Sequence, residues 1–185
     1  MIDVNDLRKG VTFEFDGHLY KVLEYSHNKP GRGNATIRTR VRDLRTGGTM
    51  DRTFQSGERV QDIRLDHHMA SFLYADENFM YFMDSQTYEQ SPIARAVIGE
   101  GQGFIKEGLE VKLTYFNGEH LDVDLPASVD LKVVQADAGV KGDTATGATK
   151  LVTTETGLKV SVPLFVNTGD VIRVDTRNGA YLTRV

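Results

Sequence analysis

The chain of 185 residues contains no cysteine. This absence excludes disulfide bonds, catalysis by a thiol nucleophile and metal sites with cysteine ligands. The sequence also lacks a long hydrophobic run, since its longest apolar stretch, VSVPLFV, is far shorter than the roughly 20 residues that span a bilayer. The first ten residues, MIDVNDLRKG, carry acids and no apolar core, so we expect no signal peptide. These absences predict a soluble cytoplasmic protein that contacts no membrane.

Acidic residues are missing from SHNKPGRGNATIRTRVR, positions 26–42, although the whole chain has a formal net charge of −4. Residues 1–64 contain 12 Lys+Arg and 9 Asp+Glu, residues 65–127 contain 3 and 11, and residues 128–185 contain 7 and 6. The resulting net charges of +3, −8 and +1 indicate three modules with different surroundings. We therefore predict three domains, at 1–64, 65–127 and 128–185, with the second boundary close to the break at Pro126.

Alternation of apolar and polar residues predicts β-strands along most of the chain. VTFEFDGHLYKVLEY alternates and turns at Asp16-Gly17, which is a strong hairpin signal. In ATIRTRVRDL the period of two places the apolar residues on one face and Arg38, Arg40 and Arg42 on the other. We call these three residues the arginine stripe, and we expect it to lie along one side of a strand.

The rest of the chain also favours strands. HMASFLYADENFMYFMD predicts two strands around a turn at Asp76–Asn78, and Asn178-Gly179 predicts a further hairpin. One short helix is expected, in SPIARAVIG, with Pro92 in its first turn. Short strands at regular spacing with few helices predict an all-β fold of barrels or sandwiches.

Two segments resemble nucleotide-binding motifs, but each lacks a required residue. GDTATGATK at 142–150 has Ala148 where a phosphate-binding loop needs lysine, and GEGQGFIKEG has Lys106 where the dinucleotide fingerprint needs glycine. His67 and His68 are adjacent, so on a strand they point to opposite faces and cannot easily share a metal. The carboxylates of 65–127 are scattered, which is typical of a solvated face. We therefore expect no enzyme, no cofactor and no metal.

The loop Lys29–Asn34 lies between two predicted strands and should form a hairpin tip. Pro30 fixes its own φ, and Gly31 and Gly33 allow positive φ, so the chain can turn tightly and hold Arg32 outward. A guanidinium directs two donors toward phosphate oxygens, and the glycines leave room for another backbone to approach. A solvated charged hairpin is the alternative, but five cations without an acid in a net acidic chain favour a functional tip.

Six motifs together carry a family resemblance. They are KPGRGNA at the loop, RTFQSGE at 52–58, FMDSQTYEQ at 82–90, GVKGDT at 139–144, VPLFV at 162–166 and GDVIRVDTRNGAYLTRV at the end. Over essentially its whole length the chain resembles bacterial elongation factor P. The resemblance implies an SH3/KOW-like barrel followed by two OB-type barrels in an elongated, L-shaped body similar in outline to tRNA.

The resemblance also implies a function. The family binds the 70S ribosome, with its rRNA and ribosomal proteins, between the peptidyl-tRNA and exit sites, and relieves stalling at consecutive prolines. By resemblance Arg32 contacts the CCA end of peptidyl-tRNA. The arginine stripe behind the tip can, from its own charge and position, lie along the phosphate backbone of RNA. The residues implied to support the loop are Lys29, Pro30, Gly31, Gly33 and Asn34. An arginine at the tip is similar to the branch in which a glycosyltransferase adds rhamnose. A monomer is expected.

A second contact, facing the small subunit and the anticodon side, is implied in the last domain. The matching residues are Gly142, Asp143, Thr144, Gly147, Lys150, Tyr181 and Arg184. The chain departs from the family here, because it reads Lys150-Leu151-Val152 where many members have lysine-proline-alanine, and it has only Pro126 where two prolines often end the second domain. These departures weaken the assignment of the loop-to-codon contact.

Two other binding proteins stay open as alternatives. One is a paralogue of elongation factor P that relieves different stalling motifs. The other is a free single-stranded RNA-binding OB protein, which would need aromatic stacking platforms beside cations. Most aromatic residues instead lie in the acidic residues 65–127, which include SFLYADENFMYFMD, and we expect the aromatic residues of this segment to pack into the core.

Overall fold

The structure, a computed structural model, describes residues 1–139 and 147–185. Its contacts divide the chain into two compact units. Unit 1 comprises Met1–Asp66 together with Tyr115–Leu121, and unit 2 comprises His67–Thr114 together with Asp122–Val185. Within the described ranges no helix has both the length and the apolar character needed to cross a membrane.

Unit 1 is built on a six-stranded sheet, which confirms the strands predicted for the first third of the chain. Its strands are β1 (Ile2–Asp3), β2 (Thr12–Phe15), β3 (His18–Asn28), β4 (Thr36–Asp43), β5 (Thr49–Gln55) and β6 (Arg59–Asp62). The order across the sheet is β1-β6-β2-β3-β4-β5. A short 3₁₀ helix, Val4–Asp6, follows β1.

The β2–β3 hairpin turns where the sequence predicted it. Asp16 and Gly17 both take positive φ, of 51° and 77°, as a two-residue primed turn requires. The inner sheet face buries Phe13 and Tyr20, whose ring centroids lie 5.6 Å apart, together with Phe54 at 6.0 Å from Phe13. Burying aromatic rings of this size supplies much of the hydrophobic stabilisation of so small a unit.

A second, smaller core in unit 1 involves the hairpin tip Tyr115–Leu121. Leu121 packs with Leu19 and Ile63, and Phe116 lies against the same cluster. At the edge of this core the guanidinium of Arg45 donates to both carboxylate oxygens of Glu119, from Nε at 3.0 Å and from Nη2 at 3.1 Å. The hairpin tip is therefore held by apolar packing and by a bidentate ion pair.

The next sheet has five strands in the order β11-β10-β7-β8-β9. The strands are β7 (Asp66–Ala75), β8 (Phe79–Asp84), β9 (Gln90–Ala94), β10 (Glu110–Phe116) and β11 (Glu119–Asp124). The predicted turn at Asp76–Asn78 is present, and the Asp76 carboxylate accepts hydrogen bonds from the backbone N–H groups of Asn78 and Phe79. Such a side-chain-capped turn is what aspartate favours.

The predicted helix in SPIARAVIG is shorter than expected and starts later. Pro92 lies inside β9, opposite Tyr81 of β8, and only Arg95–Ile98 is α-helical. A 3₁₀ helix, Gly99–Phe104, follows. β9 is the edge strand of its sheet, which is a position where strands accept proline.

The aromatic residues of the acidic segment are only partly in the core. Phe72 and Phe82 are buried, as expected. Tyr74 is instead 54% exposed and stacks on Tyr81 with ring centroids 4.5 Å apart. The register of β7 shifts between Phe72 and Tyr74, and this irregularity places Tyr74 on the outer face. The expectation of core packing for the whole segment was wrong.

The last sheet has the order β14-β13-β12-β15-β16. Its strands are β12 (Ser128–Ala136), β13 (Thr149–Thr154), β14 (Lys159–Pro163), β15 (Val171–Asp175) and β16 (Tyr181–Arg184). Leu131, Val162 and Ile172 are fully buried in its core, and Phe104 from the 3₁₀ helix joins them. Because Phe104 packs in this core, unit 2 contains residues from both the second and the third predicted domain. The all-β class is confirmed, and the three domain boundaries stay a prediction.

Candidate nucleic-acid interface

Arg32 lies in the loop that joins β3 to β4. Every residue from Lys29 to Asn34 is exposed, so the loop projects from the sheet. Gly33 has a φ of +130°, which favours glycine. Of the two loop glycines that allow positive φ, only Gly33 takes it, and Gly31 does not. A Cβ at Gly31 would meet no atom within 4 Å, so this glycine keeps open space beside the arginine.

The stem below the loop is a regular antiparallel ladder. Asn28 pairs with Thr36, and His27 pairs with Ile37. Ile37 is fully buried and packs in the same core as Phe54, so the base of the loop is anchored in the hydrophobic core of unit 1. The exposed loop tip thus stands on a stem that is anchored in the core, which is the usual arrangement of a binding loop on a rigid scaffold.

The arginine stripe is confirmed as a one-sided feature of β4. Arg38, Arg40 and Arg42 are exposed, whereas the alternating residues Ile37, Thr39, Val41 and Asp43 are buried. Consecutive stripe residues are two positions apart, which corresponds to about 7 Å along a strand. The stripe therefore extends from the base of the Arg32 loop down the outer face of the sheet.

The strands beside β4 give each stripe residue different neighbours. Arg40 lies between Glu24 of β3 and Asp51 of β5. The register of β3 shifts between Val22 and Glu24, and this shift sets which β3 residue faces each arginine. Sequence periodicity predicted the stripe, but it could not show which charges lie across from it.

The turn after β4 is organised by a buried carboxylate. Asp43 accepts hydrogen bonds from the backbone N–H groups of Arg45, at 2.8 Å, and Thr46, at 3.0 Å, and lies 3.0 Å from His18 Nδ1. Burial alone would raise the pKa of the Asp43 carboxyl, but the bonds from Thr46, Arg45 and His18 lower it below its ordinary value. This turn fixes the end of the stripe at Arg42.

The predicted small-subunit residues are placed only in part. Gly142, Asp143 and Thr144 lie outside the described residues. Gly147 is exposed with a φ of +100°, and Lys150 lies on β13. In the strand order of this sheet, β12 and β15 lie between β13 and β16, and β16 carries Tyr181 and Arg184. The structure does not pair Lys150 with them through this sheet.

Tyr181 and Arg184 have different environments on β16. Tyr181 is half-buried against the core of the last sheet. Arg184 is exposed, with its guanidinium 5.2 Å from the centre of the Phe165 ring and 3.6 Å from the Asp170 carboxylate. Phe165 is 55% exposed. Phe165 belongs to the VPLFV motif, but the sequence did not predict it as a surface contact, because a single exposed aromatic residue produces no periodic pattern.

The histidines and acids form no metal centre in the part of the chain that is described, where no three of their side chains come close enough to hold an ion. His67 Nδ1 lies 3.1 Å from Thr114 Oγ1, and His68 Nδ1 lies 3.0 Å from Asp84 Oδ2. These separate partners confirm that the two adjacent histidines point in different directions.

Comparison with known proteins assigns a class to this arrangement. The first strands match a family model described as the elongation factor P KOW-like domain, over residues 3–60. Models described as the elongation factor P OB domain and as elongation factor P, C-terminal, match residues 65–123 and 129–184. The expected KOW-like and OB-type domains are thereby confirmed. The class is that of β proteins in which a KOW-like domain precedes OB-type domains.

Full-length relatives then define the family. The chain is 48% identical to elongation factor P of Symbiobacterium thermophilum and 47% identical to that of Synechococcus sp., each over 184 residues and 100% of both chains. It is 44% identical, with the same coverage, to elongation factor P of Moorella thermoacetica. The chain belongs to the elongation factor P family of translation elongation factors, which confirms the resemblance carried by its motifs.

Solved structures agree with the fold. The chain is similar to the eukaryotic translation initiation factor 5A from Methanococcus jannaschii, with a TM-score of 0.54, 22% identity, and coverage of 67% of this chain and 93% of that one. A translation initiation factor 5A family protein from Naegleria fowleri gives a TM-score of 0.51 at 12% identity, covering 67% and 96%. At these identities the likeness concerns the fold alone.

Proposed function

We propose that this translation elongation factor binds the ribosome between the peptidyl-tRNA and exit sites and promotes peptide-bond formation at consecutive prolines. In this proposal Arg32 contacts the CCA end of peptidyl-tRNA. The observation that carries it is the exposed Arg32 loop on a core-anchored stem, in a chain of the elongation factor P family. The role is positioning of the tRNA, without covalent chemistry by the protein.

The physical basis is the geometry of the reacting ends. Proline is a hindered secondary-amine nucleophile, so its attack depends strongly on how the peptidyl ester is oriented. Holding the CCA end in a near-attack arrangement removes part of the entropic barrier. The guanidinium of Arg32 can donate two hydrogen bonds to phosphate or ribose oxygens, and Gly31 leaves the space that close approach of RNA requires.

The outer face of β4 supplies a second group of contacts in this proposal. Arg38, Arg40 and Arg42 are exposed on one side of the strand and lie on the same stem as the Arg32 loop. Their role is to hold RNA backbone, which fixes the orientation of the bound tRNA and does not read its sequence. The predicted partners are therefore rRNA, ribosomal proteins and peptidyl-tRNA.

Three further expectations belong to the same proposal. Gly147, Lys150, Tyr181 and Arg184 would face the small subunit, together with Gly142, Asp143 and Thr144, which lie outside the described residues. Arg32 would be the acceptor for an arginine-modifying glycosyltransferase, and its exposure gives such an enzyme access. The protein would act as a monomer in the cytoplasm, without a cofactor.

The test is synthesis of a proline-rich peptide in a purified translation system. Arg32→Ala should abolish the stimulation on a template with consecutive prolines and leave a proline-free template unaffected. Arg64→Ala, which removes an exposed arginine outside the loop and the stripe, is the matched control and should behave as the wild type. Full stimulation by Arg32→Ala would refute the assignment of the tip.

One observation favours the rival of free single-stranded RNA binding. The exposed Phe165 ring beside the Arg184 guanidinium has the composition of a base-stacking platform. Asp170 lies close to the same guanidinium and reduces its attraction for phosphate. Titration with short single-stranded oligonucleotides in the absence of ribosomes separates the two functions, because only the rival predicts salt-dependent binding that Phe165→Ala removes.

A further inference from the structure

The outer face of the β3–β4–β5 sheet is arranged in rows that run across the strands. Each stripe residue occupies the centre of one row. Arg38 lies between Ser26 and Thr53, and Arg40 lies between two carboxylates. Arg42 lies between Lys21 of β3 and Thr49 of β5, and Thr12 of β2 is paired with Lys21 on its other side.

The three rows therefore differ in charge. In the central row Arg40 has an acidic cross-strand neighbour on each side, Glu24 of β3 and Asp51 of β5. In the last row Lys21 and Arg42 are direct cross-strand neighbours, and both are exposed. Directly opposed residues have Cβ atoms about 5 Å apart, and like charges at that spacing destabilise a sheet. The free protein keeps this unfavourable pair without a carboxylate in the row.

We propose that Lys21 and Arg42 together bind one phosphate group of RNA. A phosphate between the two side chains would turn their repulsion into attraction to a shared anion. The arginine supplies two donors in a fixed plane, and the lysine supplies a mobile point charge. The Arg42 guanidinium reaches the turn after β4, because a Cβ built at Gly47 would lie at an ordinary contact distance of 3.7 Å from Arg42 Nη2.

The pair gives the stem a second anchor, at the end away from the Arg32 loop. Arg42 lies four positions after Arg38, or about 13 Å along a strand. RNA held at this anchor and at the loop would be fixed in orientation as well as in position. In this proposal Lys21 joins the predicted RNA contacts. Of the three stripe residues, Arg40 contributes least to RNA binding. The identity of the RNA rests on the proposed ribosomal function, whereas the phosphate site does not.

The test compares Lys21→Gln and Arg42→Gln with Arg40→Gln, the stripe variant whose arginine has acidic neighbours, and with the control Arg64→Gln, which removes an exposed arginine outside the loop and the stripe. Binding of the whole chain to 70S ribosomes is measured over a range of KCl concentrations. We expect each of the first two variants to weaken binding about tenfold and to reduce the salt slope by about one, while Arg40→Gln changes the slope much less. The double variant Lys21→Gln/Arg42→Gln should lose less than the two single losses combined, because both residues hold the same phosphate.

Thermal unfolding of the free variants separates binding from a structural role. Lys21→Gln removes a like-charge contact and should leave the melting temperature unchanged or raise it, whereas Arg40→Gln removes the cation between two acidic neighbours on adjacent strands and should lower it. A lower melting temperature for Lys21→Gln, or a binding loss no greater than that of Arg40→Gln, would overturn the proposal.

A ribosome-free measurement keeps the two claims distinguishable. A 12-base-pair RNA duplex is titrated into the isotope-labelled whole chain, and the Arg42 Nε–H signal is followed by NMR. A shift of that signal that Lys21→Gln abolishes supports the phosphate site, even if the wild type fails to bind ribosomes and the proposed function falls. The opposite outcome is also possible. If the wild type binds ribosomes but the Arg42 Nε–H signal does not shift and Lys21→Gln does not weaken binding, the phosphate site is refuted and the proposed function is not.

Discussion

Asp43→Ala should destabilise unit 1 more than any change at an exposed turn carboxylate. The side chain is buried, with 2% of the residue exposed, and it accepts two backbone hydrogen bonds in the turn between β4 and β5. A net hydrogen bond to a charged group stabilises by about 1.5–3 kcal/mol. The two freed N–H groups of Arg45 and Thr46 are near the surface and recover some water, so we expect a total loss of about 3 kcal/mol.

Hydrogen exchange measured peptide by peptide is the suitable assay, because a chain of two compact units need not unfold in one step. Protection should fall across Met1–Asp66 and stay unchanged in 122–185. Asp76→Ala removes a similar turn cap that is exposed to solvent, and it should have a much smaller effect. A loss of protection in unit 1 worth less than about 1 kcal/mol would refute the reasoning from burial.

Three further outcomes follow from single contacts. Gly31→Ala should leave stability unchanged but lower activity on proline templates, whereas Gly33→Ala should also distort the loop, because its φ of +130° strains other residues. The pKa of the Asp43 carboxyl is lowered in the folded protein, so its contribution to stability should be present above the ordinary value of 3.8 and lost as pH falls through the folded pKa. Measured as stability against pH, this loss should occur in the wild type and be absent in Asp43→Asn. Arg45→Ala breaks the half-exposed pair with Glu119 and should cost less than about 1 kcal/mol, with urea unfolding showing a smaller difference in high salt.

The sequence predicted those features that depend on one strand at a time. The arginine stripe follows from the period of two in β4, and the Asp16-Gly17 hairpin follows from turn chemistry. Features that depend on pairing between strands could not be predicted. The neighbours of Arg40 and Arg42 are set by the shifted register of β3 after Val22, and a period of two carries no information about such a shift.

The wrong predictions have the same origin. Pro92 was placed in a helix because proline fits the first helical turn, but an edge strand accepts it equally well, and only the sheet order shows that β9 is an edge. Tyr74 was expected in the core because its segment is aromatic, and the irregularity after Phe72 turned it outward. Both loop glycines allow positive φ, and the residue type alone could not show that only Gly33 takes it.

Photocrosslinking from the loop tests the central claim most directly. The Asn34→p-azidophenylalanine variant keeps Arg32 and carries its reactive group on the exposed loop. Irradiated with ribosomes stalled at consecutive prolines, it should crosslink to the terminal CCA nucleotides of peptidyl-tRNA, and Arg64→p-azidophenylalanine should not. Crosslinks from position 34 that reach other RNA or protein but never the CCA end would contradict the proposal that the Arg32 loop positions peptidyl-tRNA.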